Sequence, residues 1–226
     1  MNAGKRITLL LVDDHAIVRE GYRSLIMKQV GLEVVAEAVD GIQAYQQFKR
    51  VAPDVTVMDL SLPGQSGLET IARIKQRSPD AKILVFTMHQ NPRFAVQALR
   101  AGALGYITKS SSPDVLLRAI NEVYCGRRIL SPDIAQAIAL EKSGHELKAL
   151  ETLTTREFEI LRLLAEASSK EDIARMLNIS FKTVSNCHYL IKRKLGVASD
   201  IELIHWAIKM DVIDLLALSD SLSPEN

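Results

Sequence analysis

Five residues of this 226-residue chain have the types and spacing to handle a phosphoryl group: Asp13, Asp14, Asp59, Thr87 and Lys109. Each closes an apolar run. Ile7–Val12 stops at Asp13-Asp14, Val55–Met58 stops at Asp59, Lys82–Phe86 runs into Thr87, and Gly105–Thr108 ends at Lys109. Carboxylates converging in a partly dry pocket repel one another unless a cation joins them, and hard oxygen ligands suit Mg2+. With metal and lysine neutralising charge, a carboxylate can act as a nucleophile and form an aspartyl phosphate. Asp59, the single acid at the middle strand's end, takes that role. Asp13 and Asp14 then hold the metal, directly or through water, Lys109 pairs with the phosphoryl oxygens, and Thr87 hydrogen-bonds one of them. Taken singly, each residue also has an ordinary reading. Asp59 could cap the next helix, Asp13-Asp14 could be an N-cap pair, and Lys109 could be a solvated charge. Their shared placement at strand ends favours the chemistry.

The elements that must position them alternate regularly. Strands are expected at Ile7–Val12, Glu33–Ala38, the run ending at Asp59, Lys82–Thr87 and Gly105–Thr108. Between them the spacing predicts a helix from Ala16 to Gln29 facing inward through Ile17, Leu25 and Met27, and one opened by Asp40-Gly41 that carries Ile42, Tyr45 and Phe48. A third runs from Ser66 to Gln76 on Leu68, Ile71 and Ile74. Asn91-Pro92 and Ser112-Pro113 start two more, ending near Gly102 and Cys125. Five strands and five helices predict an α/β domain over residues 1–125, a doubly wound, five-stranded parallel sheet. Right-handed crossovers bring all the strand carboxyl ends to one edge, where open α/β sheets bind ligands.

Gly126 to Pro132 interrupts the alternation, so 126–150 is expected to be a linker with a short helix over Asp133–Lys142. Its His145 reads as a surface residue. Beyond it no strand pattern appears. Residues 151–215 predict an all-α domain of four helices. Thr154-Thr-Arg-Glu157 is a capping box for the first, with Phe158, Leu161 and Leu164 inward, and Ser169 caps the second, with Ile173, Ala174 and Leu177. The third spans Phe181 to Leu195 with a stripe at Val184, Leu190, Ile191 and Leu195. The fourth spans Asp200 to Met210 with Ile201, Ile204 and Ile208 toward the core. Residues 216–226 are expected to be a disordered tail.

Composition narrows the classes. A hydrophobic content of 47% with 24% charge is that of a soluble globular protein. The formal net charge of +1 says nothing about nucleic acid, but its distribution does. Residues 151–226 hold nine Lys/Arg against twelve Asp/Glu, yet Phe181–Val197 carries Lys182, Lys192, Arg193 and Lys194 and no acid. Two helices, a tight turn and a basic second helix are the arrangement of a helix-turn-helix reader of double-stranded DNA. Ser185, Asn186 and Tyr189 offer groups for base edges and Lys192 for phosphates. Cys125 and Cys187 have no metal-ligand spacing and read as free thiols. The N-terminus is no signal peptide, and no apolar segment reaches the roughly 20 residues of a membrane span, which points to the cytoplasm with no membrane partner.

With these motifs in place, residues 6–125 resemble the receiver domain of two-component response regulators, a flavodoxin-like fold. The resemblance rests on the acidic pair, Val-Met-Asp59-Leu-x-Leu-Pro-Gly-x-x-Gly67, the strand ending in Thr87, and Gly-Ala-x-Gly-Tyr-Ile-x-Lys109. Thr155-Arg-Glu-x-Glu-Ile-Leu, Asp172-Ile-Ala-x-x-Leu-Asn-Ile-Ser, Lys182-Thr-Val and Lys194-Leu-Gly-Val197 resemble the C-terminal domain of NarL/FixJ (LuxR-type) regulators. The receiver resemblance implies the Ser61 backbone carbonyl as a further metal ligand and Thr87 with Tyr106 as a switch pair. The C-terminal resemblance implies that Lys182 and Thr183 contact the DNA backbone. Together they imply a phosphorylation-activated transcription regulator, served by a histidine kinase or small phosphodonor, with RNA polymerase a candidate partner. A homodimer is expected because one recognition helix gives a small footprint. The chain departs from the pattern in Ser185 and Cys187 after Thr-Val, in Ala167-Ser-Ser169 for a small-Gly turn, and in Lys170-Glu171 for Asn-Lys. Two other classes compete. A phosphohydrolase using an aspartate nucleophile would need a second Asp where this chain has Ser61. A phosphate relay or adaptor without DNA would leave the basic helix unexplained.

Overall fold

A strand buried on both faces needs apolar side chains in both directions, and Ile7–Val12 (β1) supplies them: Leu9, Leu10, Leu11 and Val12 are all within 2% of full burial. The computed structural model describes residues 6–141, 152–210 and 212. Within them the chain divides into two compact units at residues 140 and 141. His145 and the tail expected over 216–226 lie outside the described residues.

In the first unit β1 is followed by α1 (Ala16–Met27), β2 (Leu32–Ala38), α2 (Gly41–Val51), β3 (Val55–Met58), α3 (Gly67–Arg77), β4 (Ile83–Thr87), α4 (Pro92–Ala101), β5 (Gly105–Thr108) and α5 (Pro113–Tyr124). The strands pair in parallel in the order β2-β1-β3-β4-β5. The order reverses direction at β1, so the crevice between the ends of β1 and β3 is a topological switch point. Leu9, Leu11, Val57, Leu84, Phe86 and Ile107 pack on one face with Ile26 of α1 and Leu116, Ile120 and Val123 of α5. Leu68, Ile71 and Ile74 of α3 are buried as expected.

The structure differs from the sequence reading in four places. The sheet has six strands, not five: Ile129–Leu130 (β6) pairs in parallel with Gly105 and Tyr106 and leads directly into α6 (Pro132–Glu141). Two residues are too few to show any periodicity, so only pairing reveals this strand. Helix α1 turns Ile17 and Met27 to solvent and packs through Ile26 and Tyr22, whose ring meets Phe86 edge-on at 4.6 Å. Helix α2 likewise exposes Ile42 and buries Ala44 and Phe48. The fourth difference is which faces of two helices in the second unit turn inward.

Among its described residues that unit holds four helices, α7 (Thr155–Ala165), α8 (Lys170–Met176), α9 (Phe181–Leu195) and α10 (Asp200–Lys209). The capping box at Thr154 and Glu157 is complete, and Ser169, Ser180 and Ser199 cap the other three. Val184 and Ile191 of α9 are buried, but Leu190 is exposed and His188 occupies the inner face instead. On α10 the expected inward row is outward: Ile201, Ile204 and Ile208 are exposed, while Leu203 and Ala207, with Met210 just beyond, are buried. Both rows are apolar at helical spacing, so periodicity cannot choose between them. Among the described residues no helix is long and apolar enough to cross a membrane.

Candidate functional site

Backbone pairing fixes the site before any side chain does. The ladder continues one residue past the strands, with Asp13 N–H donating to Ala38 O, Asp59 N–H to Val12 O and Lys109 N–H to Thr87 O at 2.8–3.1 Å. Asp13, Asp59, Thr87 and Lys109 are thereby held in one row along the sheet edge. Beneath them α3 starts close against β3. A Cβ on Gly67 would lie 2.1 Å from the Asp59 carbonyl oxygen, so only glycine lets the helix enter there. Its N–H donates to Leu60 O and closes the loop.

The side chains converge. Lys109 Nζ lies 2.6 Å from Asp59 Oδ2 and 2.7 Å from Asp13 Oδ2, and all three side chains are no more than 5% exposed. Burial works against the Lys109 ammonium. The charge of Asp59 and the hydrogen bonds to Asp13 and Asp59 outweigh it and hold the lysine above its ordinary range. Asp59 Oδ1 accepts from the N–H of Leu60 at 2.6 Å and of Ser61 at 3.3 Å. Two groups are left unsatisfied: Thr87 Oγ1 and Asp14 Oδ1 are buried without a hydrogen bond. His15 Nδ1 lies 2.7 Å from that Asp14 oxygen, but the angles form no hydrogen bond. Asp13, Asp14 and His15 bring ligand atoms within 4.8 Å of one another. An unsatisfied buried carboxylate oxygen beside two further acids and a lysine fits a hard divalent cation.

Arg19 and His89 of the site carry no signal in the sequence pattern, whereas Tyr106 is expected through the resemblance. Arg19 reaches from α1 to the Asp13 carbonyl at 2.7 Å and is itself held by Glu37 at 2.9 Å. His89 stacks on Phe94 at 4.2 Å and hydrogen-bonds Ser61 Oγ at 3.0 Å. Tyr106 is fully buried, with its hydroxyl donating to the His89 carbonyl at 2.9 Å. Burial and the negative charges of Asp59 and Asp133 push that hydroxyl well above its ordinary range. One hint was available: Ser61 and His89 each stand two residues beyond a residue at the sheet edge.

In the second unit α9 presents Lys182, Thr183, Asn186 and Tyr189 to solvent, with Ser185 half-buried. Lys192, expected to meet phosphates, pairs through its Nζ with Asp200 at 2.7 Å. Lys194 pairs with buried Glu157 at 2.6 Å, which ties the end of α9 to the cap of α7. Arg193, seven residues after Asn186 and so on the same helix face, is exposed. Cys125 and Cys187 are free thiols.

Comparison with known proteins agrees with this geometry. Residues 9–121 match the response regulator receiver domain, and residues 151–207 match the luxR family of bacterial regulatory proteins. The response regulator UvrY of Escherichia coli K12 is 36% identical over 215 residues, covering 94% of this chain and 99% of its own. The chain belongs to the NarL/FixJ family of response regulators. A LuxR-family regulator structure from Aurantimonas is 51% identical, covering 62% of this chain and 100% of its own, with a TM-score of 0.60. Salmonella RcsB, solved on promoter DNA with a phosphomimetic, is 28% identical over 89% of this chain and 98% of its own, with a TM-score of 0.69. This regulator therefore joins a receiver to a DNA-binding domain and acts in phosphorylation-controlled transcription, in a family of regulators and not an enzyme class.

Proposed function

We propose that Asp59 is the phosphoacceptor and that its phosphorylation, by a cognate histidine kinase or a small phosphodonor, controls DNA binding through α9. The observation that carries this is Lys109 bridging Asp59 and Asp13 within 2.7 Å, on a sheet edge shared with the unsatisfied Thr87 hydroxyl. Asp13, Asp14, Asp59 and the Ser61 carbonyl would hold Mg2+, which when bound supplies positive charge for the phosphoryl oxygens. An Asp59 carboxylate oxygen attacks phosphorus, and the bond from phosphorus to the donor breaks. Lys109 then pairs with a phosphoryl oxygen, and Thr87 turns its hydroxyl to another. Tyr106, freed from the His89 carbonyl, completes the switch. The group is stored, not turned over, so this is no enzyme in the ordinary sense.

Lys182 and Thr183 are assigned to the DNA backbone, with Lys192 once it leaves Asp200. Ser185, Asn186 and Tyr189 are assigned to base edges in the major groove. The exposed row Ile201, Ile204 and Ile208 supports pairing with a second copy on DNA. RNA polymerase is the further partner this role entails, and the cytoplasm is its place. Asp59→Asn should abolish phosphate uptake from acetyl phosphate. Uptake at the wild-type rate would overturn the assignment.

A further inference from the structure

The strand that carries Lys109 holds more than the phosphoryl site. Tyr106 of β5 pairs with Leu130 of β6, and its carbonyl accepts from the N–H of Ser131 at 2.9 Å. Two residues on, the buried Thr108 hydroxyl donates to Asp133 Oδ2 in the first turn of α6 at 3.1 Å. The same hydroxyl accepts from Ser110 at 3.0 Å and lies 3.1 Å from Ser111 Oγ, in the loop that follows Lys109. A hydroxyl has one proton and two lone pairs, so this network uses it fully. Burial opposes ionisation of Asp133, but the hydrogen bonds it accepts, that from Thr108 among them, outweigh it and keep its carboxyl below the ordinary range. Ile134, next to it, is fully buried.

We infer that the Thr108–Asp133 hydrogen bond is the joint through which the state of the phosphoryl site reaches α6 and, along the chain, the DNA-binding domain. Residues 106, 108 and 109 lie within four positions of one strand end. When Lys109 leaves Asp59 for a phosphoryl group and Tyr106 turns, the end of β5 and its serine loop must shift, and Asp133 shifts with them. A hydrogen-bonded connection anchored beside buried Ile134 passes on a small displacement that a free linker would absorb. This inference rests on the reading of Asp59 and Lys109 given above.

The test uses full-length protein with Thr108→Val, which keeps the volume and removes the hydroxyl, Asp133→Ala, and both together. Three quantities are measured: phosphate uptake from acetyl phosphate, amide exchange in Pro132–Glu141 with and without beryllofluoride, and affinity for a duplex that the phosphorylated wild type selects from a random pool. Wild type should take up phosphate and show a beryllofluoride response in both other readouts. Each variant should take up phosphate at the wild-type rate, lose the exchange response in α6, and retain a gain in DNA affinity smaller by about fivefold or more. The double variant should be no worse than either single one, because one bond is removed in all three. A full response in both single variants, or additive losses, would overturn the joint. A wild type without phosphate uptake would instead remove the phosphoacceptor reading beneath it.

Discussion

At the scale of single residues, the centre of the receiver is one cation between two buried acids. The Lys109 side chain is 5% exposed, and its Nζ sits within 2.7 Å of both Asp13 and Asp59. Removing one member of a buried ion pair leaves uncompensated charge, which typically costs about 3–5 kcal/mol. Lys109→Met keeps the length of the side chain and removes the charge. It should lower receiver stability by about 3 kcal/mol in urea titrations without divalent ions. Because a bound cation takes over part of the lysine's role, Mg2+ should stabilise the variant more than the wild type. An equal Mg2+ increment in both proteins would mean that lysine and metal do not answer to the same carboxylates.

At the scale of elements, the two units differ in how openly the sequence declares them. Most strand ends were legible because the apolar run stops at a charged residue that is out of place in a strand, as Met58 gives way to Asp59 and Thr108 to Lys109. Caps were legible for a similar reason: Asn91, Thr154 and Ser169 all accept from the backbone N–H groups that the sequence spacing implies. Helix faces were not. Tyr22 packs inward on α1 although a hydroxyl marks it as polar, and α10 carries two apolar rows, of which packing selects Leu203 and Ala207. Nor was the joint to α6 visible, since Thr108 and Asp133 are 25 residues apart and meet only through β6.

Two element-scale predictions follow from the helical unit. Ala167, standing where the family often has glycine, adopts φ +60, a left-handed conformation that costs a side-chain-bearing residue about 1–2 kcal/mol. Glycine regains part of that in chain entropy on unfolding, so Ala167→Gly should stabilise the unit by about 0.5–1 kcal/mol in a thermal melt. A lower Tm would argue against the left-handed turn. Glu157 closes the α7 capping box and pairs with Lys194. Burial raises its carboxyl, but Lys194 and the Thr154 backbone and hydroxyl outweigh burial and hold it below the ordinary glutamate range. A depressed folded-state value means stability present above the unfolded value, about 4.3, and lost as pH falls through the lower folded one. Wild type should therefore weaken more steeply below about pH 4 than Glu157→Gln; matching acid limbs for the two proteins would rule out this contribution.

At the scale of the whole molecule, DNA affinity must come from a domain with more acids than bases, and the distribution of charge explains how. Phe181–Val197 is free of acids, while Asp200 and Glu157 hold Lys192 and Lys194 against the fold. On the proposed DNA-binding mode, one copy offers Lys182, exposed Arg193 and, after exchange from Asp200, Lys192 to phosphates. Each neutralised phosphate lowers log K by about 0.9 per decade of salt. Three per copy give a slope near −3 for one domain and about −5 for a pair, a difference wide enough to measure. Ile204 lies at the centre of the exposed α10 row and is 40% exposed, so Ile204→Glu should disrupt pairing without opening the core beneath the reading helix. The variant should bind a two-site duplex with roughly half the wild-type salt slope and without cooperativity, while wild type and variant bind a single half-site alike. Should the variant keep the full slope on the two-site duplex, the second copy would have to pair through a surface other than the Ile201, Ile204 and Ile208 row.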